Sequence, residues 1–302
     1  MQTYLCKDCG YRFQSKGWKE KNLKKKIFHE YLYHKQTLRE LKEEHNLDKR
    51  TLKKYLNENT LKEKVHSPRS IYAVVDGTYF GSRKDNQDWC LMVIRDPKKK
   101  EDLWWKFGEM ERDIYYHEGK EYLEKLGYVF KSITGDGHPS LRRVFSNYTF
   151  QICHVHMERI VIRGTTRNPQ LEAGKVLLSL VKTLKYTKKK VFLERLENYF
   201  EKYKSFFNQK SFSSSTKESW WTHEELRRAS YSLFNLSPYL FSFKADTNIH
   251  RTTNSLESHF RHLKNLLATH SGLKKENKQR LIHEIMINGS IVPKQKIAKK
   301  SR

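Results

Sequence analysis

A chain of 302 residues can hold one sizeable core plus a smaller module, or two modest domains, and is too long for a lone mini-domain. Its 60 Lys and Arg against 34 Asp and Glu leave a formal charge of +26, while an aromatic fraction of 13% excludes a wholly disordered basic chain. A folded body with such a field attracts polyanions, and nucleic acid is the first candidate because each neutralised phosphate releases counterions. No apolar run approaches the roughly 18 to 20 residues of a spanning helix, and the polar start carries no signal-peptide pattern, so the expectation is a cytoplasmic protein with no membrane partner. Four cysteines (Cys6, Cys9, Cys90 and Cys153) make no disulfide framework and suit a reducing compartment.

The first element, "MQTYLCKDCGYRFQSK", reads as a knuckle in which Cys6-x-x-Cys9 precedes Gly10 at a left-handed turn. It has the form of the second half of a zinc ribbon. Four ligands are needed and no earlier Cys-x-x-Cys precedes these two, so either the start lies downstream of the true one or the ribbon is broken. Cys6 and Cys9 are thus either Zn²⁺ ligands or two free thiols. Residues 24 to 60 then show helical periodicity without Gly or Pro. A helix beginning near Thr37 carries Leu38 and Leu41, "HNLD" makes a turn, and Asp48 is placed to cap a second helix with Leu52, Tyr55 and Leu56. That spacing is a helix-turn-helix. Its second helix displays Lys49, Arg50, Lys53 and Lys54 toward a phosphate backbone or base edges, unless it is simply a hairpin with a solvated basic face.

"LKEKVHSPRS" reads as a linker, after which the pattern changes. "IYAVVD", "WCLMVIRD" and "LWWKFGEM" predict three strands, "RDIYYHEGKEYLEKLG" a helix, "YVFKSITGDG" a fourth strand, "HPSLRRVF" a short helix and "YTFQICHVH" a fifth strand. From about 170 to 245 the pattern is mostly helical. The order β-β-β-α-β-α-β predicts a mixed α/β sheet covered by helices.

Asp76 closes the first of these strands before Gly77, and Asp136 follows the fourth, at the edge where ligands gather in α/β sheets. Either aspartate alone would be an ordinary turn residue. A third acid, Glu257, sits in "TTNSLESHFRHLKNLL" beside the apolar stripe of Leu256, Phe260, Leu263 and Leu267. Asn254 and Glu257 also have the spacing of a capping box, which would explain both without chemistry.

"VVDGTYF", "ITGDGHPSL", "CHVHMERI" and "TTNSLESHFRHLK", in that order with a helical stretch before the last, resemble the DDE transposases of the IS256/Mutator-like superfamily. The knuckle and helix-turn-helix resemble the variant whose amino terminus binds zinc. The resemblance implies an α/β, RNase H-like catalytic domain with a helical insertion, preceded by a zinc-ribbon-like knuckle and an all-α helix-turn-helix. On that reading the knuckle spans 1–18, the helix-turn-helix 20–60, the linker 61–70, the first part of the catalytic core 71–165, the insertion 166–250, the last core helices 251–285 and a basic tail 286–302. Asp76, Asp136 and Glu257 would hold Mg²⁺, with Mn²⁺ as a substitute, for in-line phosphodiester cleavage and strand transfer. The implied partners are double-stranded DNA, both transposon ends and target, and a second copy of the chain or more in the DNA complex. The implied place is the nucleoid.

Arg251, Arg261 and Lys264 flank the last motif and would lie near bound DNA; otherwise they are a solvated helix face. His138 reads as a turn residue, and Trp220 and Trp221 as core. In "ICHVHMERI", a catalytic Cys153–His156 pair would need an exposed thiol, while Cys153 ends an apolar strand where burial is the default. Zinc would need further ligands, and His154 would face the opposite side of an extended strand. The resemblance implies that Cys153 and His156 shape the strand-to-helix turn beside the acids. Two other functions remain open: a regulatory or decayed transposase derivative that binds DNA without cutting it, and an RNase H-like nuclease or resolvase.

Overall fold

The structure is a computed structural model and describes residues 3–14, 16–58, 63–81, 88–270 and 272–288. The chain divides into two compact units, residues 66–257 and residues 1–65 with 258–302.

The larger unit is built on a five-stranded sheet in the order β5-β4-β3-β6-β7. β3 (Ser70–Phe80), β4 (Trp89–Asp96) and β5 (Glu101–Gly108) form an antiparallel meander, and β3 pairs parallel with β6 (Val129–Gly135), which pairs parallel with β7 (Thr149–Ile152). β4 is buried along its whole length because it lies inside the sheet and is covered on both faces, which is why "WCLMVIRD" is a continuous apolar run rather than an alternating one. Its one buried cation, Arg95, is paired with Asp102 on β5. α4 (Asp113–Lys125) crosses from β5 to β6 and presses so closely on the sheet that a Cβ at Gly119 would meet Trp104 at 2.6 Å. α5 (Pro139–Val144) connects β6 to β7. α6 (His154–Thr165), α7 (Glu172–Lys182), α8 (Lys189–Phe207) and α9 (Glu224–Leu236) supply the rest of the apolar body, including Met157, Val161, Leu177, Phe192, Tyr199 and Leu233.

Three expectations change here. The strand at "YTFQICHVH" stops at Ile152, and Cys153 is the N-cap residue of α6, so His154 and His156 lie on the first turn of a helix and not on an extended strand. The first strand of the sheet does not close at Asp76: β3 continues to Phe80, with Asp76 paired opposite Val93 on β4, because β4 goes on pairing with it beyond Gly77. Within the mostly helical stretch 166–250, β8 (Lys210–Phe212) and β9 (Ser219–Trp221) form a hairpin. Trp220 and Trp221 lie on that hairpin instead of in the core. Trp220 is half exposed, and the Trp221 ring lies under the cations of Arg227 at 4.2 Å and Lys210 at 4.8 Å.

The smaller unit begins with a hairpin of β1 (Thr3–Leu5) and β2 (Arg12–Gln14), turned at Gly10 with φ +68°. α1 (Lys16–Tyr33), α2 (Leu38–His45) and α3 (Lys49–Glu58) follow, and Ile27, Leu32, Leu41 and Leu52 are fully buried. The cap signals act as their chemistry requires: Thr37 and Glu40 form a reciprocal capping box at α2, and Asp48 Oδ1 accepts from the amides of Arg50 and Thr51 at α3. The carboxyl-terminal part contributes α11 (Lys275–Asn288), and the His270 ring stacks on Tyr31 at 3.9 Å. Residues 61–62 of the expected linker and 289–302 of the expected basic tail lie outside the described residues.

Candidate active site

Register places the acids. Val74 on β3 pairs with Thr134 on β6, so Asp76 and Asp136, each two residues further along parallel neighbours, reach the same edge of the sheet. Gly135 pairs with Ile152, so α6 starts at that edge as well. Asp76 Oδ1 accepts from the Gly77 amide at 2.9 Å, and Asp136 Oδ1 accepts from the His138 amide at 3.0 Å.

The third element arrives from about 100 residues away by a set of polar bonds. Thr134 Oγ1 donates to the His250 carbonyl at 2.6 Å, and the His154 amide donates to the Arg251 carbonyl at 3.0 Å. Cys153 Sγ accepts from the Thr253 amide at 3.3 Å and from Thr253 Oγ1 at 3.5 Å, while the Cys153 amide itself donates to the Gly135 carbonyl at 2.8 Å. Cys153 therefore joins β6, α6 and the start of α10 (Asn254–Leu267). Glu257 does not close a capping box with Asn254. Its amide donates to the Thr253 carbonyl at 3.0 Å, and its carboxylate turns to Arg159, whose guanidinium donates to Oε1 at 2.7 Å and Oε2 at 2.9 Å.

The result brings donor atoms of Asp76, His156 and Glu257 within 4.8 Å of one another, with His156 Nε2 4.0 Å from Glu257 Oε1. Asp136 stands outside this group of three, yet its charge is felt by Asp76, by His156 and by a residue with no sequence motif, Glu111. Glu111 lies between β5 and α4 with its carboxylate against the β3 backbone: a Cβ at Gly77 would meet its Oε2 at 2.8 Å. Tyr116 Oη donates to Glu111 Oε1 at 2.6 Å, and the Glu111 amide donates to Tyr79 Oη at 3.2 Å. The only signal in the sequence was Gly77 itself, which leaves room beside Asp76 for another side chain.

The electrostatics agree with that crowding. Burial pushes Asp76 up to about 7, and the charges of Glu111 and Asp136 push the same way against His156 and the Gly77 amide. Burial also raises Glu111 and outweighs the Tyr116 hydrogen bond. His156 is raised to about 9: burial alone would lower it, but the Cys153 hydrogen bond and the nearby Asp76 and Asp136 win. Cys153 is lowered in spite of its burial because the neighbouring His156 and the Thr253 donors favour the thiolate. Two cations, His156 and Arg159, stand among the acids Asp76, Glu111, Asp136 and Glu257, whose carboxylate oxygens suit Mg²⁺ or Mn²⁺; His156 is not a ligand while it carries its proton.

The other expected residues lie elsewhere. Lys49, Arg50, Lys53 and Lys54 are exposed on α3, with Lys49 and Lys53 lining a cleft of about 610 Å³. Arg251 is exposed and lines a different cleft, of about 890 Å³, with His154, Lys182 and Tyr186; none of Asp76, His156 and Glu257 lines it. Arg261 and Lys264 are exposed on α10. Cys6 and Cys9 close a tight turn in which the Cys6 amide donates to the Tyr11 carbonyl at 2.9 Å. Among the described residues the groups of three or more potential ligands within reach of one ion are Asp76/His156/Glu257 and Glu30/Glu44/His45, so neither cysteine belongs to one.

Compared with known proteins by sequence, the chain matches no family model and no curated protein. Among solved structures it is similar to a chain of the Drosophila P element transposase strand transfer complex, at 9% identity and a TM-score of 0.42, over 95% of this chain and 94% of that one. A likeness this slight assigns nothing to the present chain. No helix of the described residues is long and apolar enough to cross a membrane.

Proposed function

We propose that this protein is a DDE-type transposase of the IS256/Mutator-like kind, with an RNase H-like catalytic domain, that cuts and joins DNA at transposon ends. The observation carrying the reading is the convergence of Asp76, His156 and Glu257 at the sheet edge where Asp136 also emerges. The strand order, an antiparallel meander followed by two parallel strands on its far side, is the one an RNase H-like sheet requires.

Divalent ions held by Asp76, Asp136 and Glu257 would activate the attacking water or 3′-hydroxyl and stabilise the leaving oxygen. The chain's own groups do the rest. Asp76 is rigid because its strand is paired on both sides, and its neighbour Gly77 keeps the backbone low enough for Glu111 to pack over it. Protonated His156 offsets carboxylate charge until another cation arrives. Cys153 is a positioning residue, since its sulfur carries the Thr253 bonds that fix the start of α10. Lys49, Arg50, Lys53 and Lys54 on α3 would contact DNA, as would Arg251, Arg261 and Lys264, and pairing two ends would require at least two copies of the chain. Cys6 and Cys9 would contribute to a Zn²⁺ site only with ligands beyond the described residues.

The test is purified protein on labelled element ends with Mg²⁺ or Mn²⁺. Cleavage followed by strand transfer is expected, and Asp76→Asn, Asp136→Asn and Glu257→Gln should each reduce both to background while DNA binding persists. Cleavage without joining would make the protein a nuclease, and end binding with no metal-dependent cutting would make it a regulatory derivative. Normal cutting by the Glu257 variant would remove that residue from the mechanism.

A further inference from the structure

Cys153 at the N-cap of α6 and His156 and Arg159 on the helix follow one another at three-residue steps, each a rise of roughly 4.5 Å, along one side. The roles of the first two follow from their contacts. Arg159 is different: its side chain is 52% exposed, yet its guanidinium closes on both oxygens of Glu257, at 2.7 and 2.9 Å. A carboxylate gripped by a fork at both oxygens is poorly disposed to ligate a cation, and the same planar fork fits two phosphate oxygens equally well. An exposed arginine can change partners at low cost, because an ion pair open to solvent is a weak one.

We infer that Arg159 is a positioning residue that exchanges partners. In the free protein it holds Glu257; when DNA arrives it transfers to non-bridging oxygens of the target phosphate and releases Glu257 to the metal. The inference rests on the transposase reading and adds to it a coupling between DNA and metal. Each ligand removes the obstacle to the other, so by linkage DNA tightens metal binding and metal tightens DNA binding by the same factor.

The experiment is a Mn²⁺ titration of the full chain followed by the electron paramagnetic resonance of the free ion, with and without a short nicked duplex carrying a 3′-hydroxyl. Arg159→Lys keeps the positive charge but loses the fork. Without DNA this variant should bind Mn²⁺ about fivefold tighter than the wild type, and the duplex should tighten the wild type about fivefold but the variant far less. In a Glu257→Gln background the lysine substitution should change nothing, since the partner whose release matters is gone. If Arg159→Lys matches the wild type and only Arg159→Ala tightens binding, the effect is charge alone and the exchange is overturned. Equal DNA coupling in wild type and Arg159→Lys overturns it too. The parent reading fails separately: if Asp76→Asn binds Mn²⁺ as well as the wild type, there is no metal site at this edge, and the exchange falls with it.

Discussion

Two clusters in this molecule each bring two carboxylates and a histidine within reach of one ion, and they have opposite characters. In the smaller unit, Glu30 and Glu44 face His45, but Lys26 stands 3.4 Å from Glu30 and 3.9 Å from Glu44, and His45 Nε2 is 2.6 Å from Glu30. There Glu30 is lowered: burial opposes its charge, and the hydrogen bonds from His45 and Lys26 overcome the burial. In the larger unit Asp76 is raised to about 7 with its own histidine close by. The donor geometry is alike; the charge balance is not. A buried acid held below its ordinary value has found its cation within the fold, and one held above it is still short of positive charge. The first cluster ties α1 to α2, and the second is the one proposed above as the catalytic centre.

The largest contrast should come from removing an acid in each place. Asp76→Asn is expected to bring metal-dependent DNA cleavage to background and yet to stabilise the metal-free protein by ~1–3 kcal/mol above pH 7, as removal of a buried, poorly compensated charge should. The sign follows from the raised value. Between the ordinary 3.8 and about 7 the folded carboxyl keeps a proton that the unfolded one loses, so its presence costs stability as pH rises through that window. Thermal melts of wild type and variant at pH 5 and pH 8 without metal should therefore diverge at the higher pH; a variant that melts lower there breaks the comparison.

Glu30→Ala should do the reverse, costing about 3 kcal/mol because it strands His45 in a buried place, while leaving Mn²⁺ affinity unchanged. Glu30 is lowered, so its contribution is present above the unfolded value of 4.5 and fades as pH falls through the lower folded value. Urea unfolding of this variant at pH 7 and in acid would check both statements, and a loss of Mn²⁺ binding would show that the two clusters are not independent. Cys153→Ala should cost about 1–2 kcal/mol, since it leaves the buried Thr253 amide and hydroxyl without their acceptor, and should slow cleavage by loosening Glu257; stability and cutting rate measured together test it. The smallest effect belongs to the solvated face of α3. Lys53→Ala should weaken DNA binding a few-fold and lower the salt dependence by about one counterion, read from affinity at several salt concentrations.

Local chemistry made much of the fold legible. β-branched and aromatic runs marked the strands, and Thr37 and Asp48 stand at helix starts in the structure as they do in the sequence. The misreadings share one cause. "ICHVH" looks extended because an apolar strand runs into it, but the helix begins once Ile152 has paired with Gly135, a contact the local pattern does not contain. Trp220 and Trp221 look like core by residue type, and it is cations from neighbouring elements, Arg227 and Lys210, that cover Trp221 instead.

What the sequence determined by itself is the kind of molecule: a strongly basic, folded α/β chain with an aspartate after each of two apolar strand runs and a glutamate beside the buried stripe of a later helix. Those features are periodic or local, and residue chemistry carries them. The tertiary structure decided which of these groups meet. It placed Glu111 against Gly77, gave Glu257 to Arg159 instead of to its own helix end, and used Cys153 to fasten Thr253, 100 positions away. Contacts over such separations leave no period in the sequence, because the distance along the chain is set by whatever strands and helices intervene and not by a local repeat.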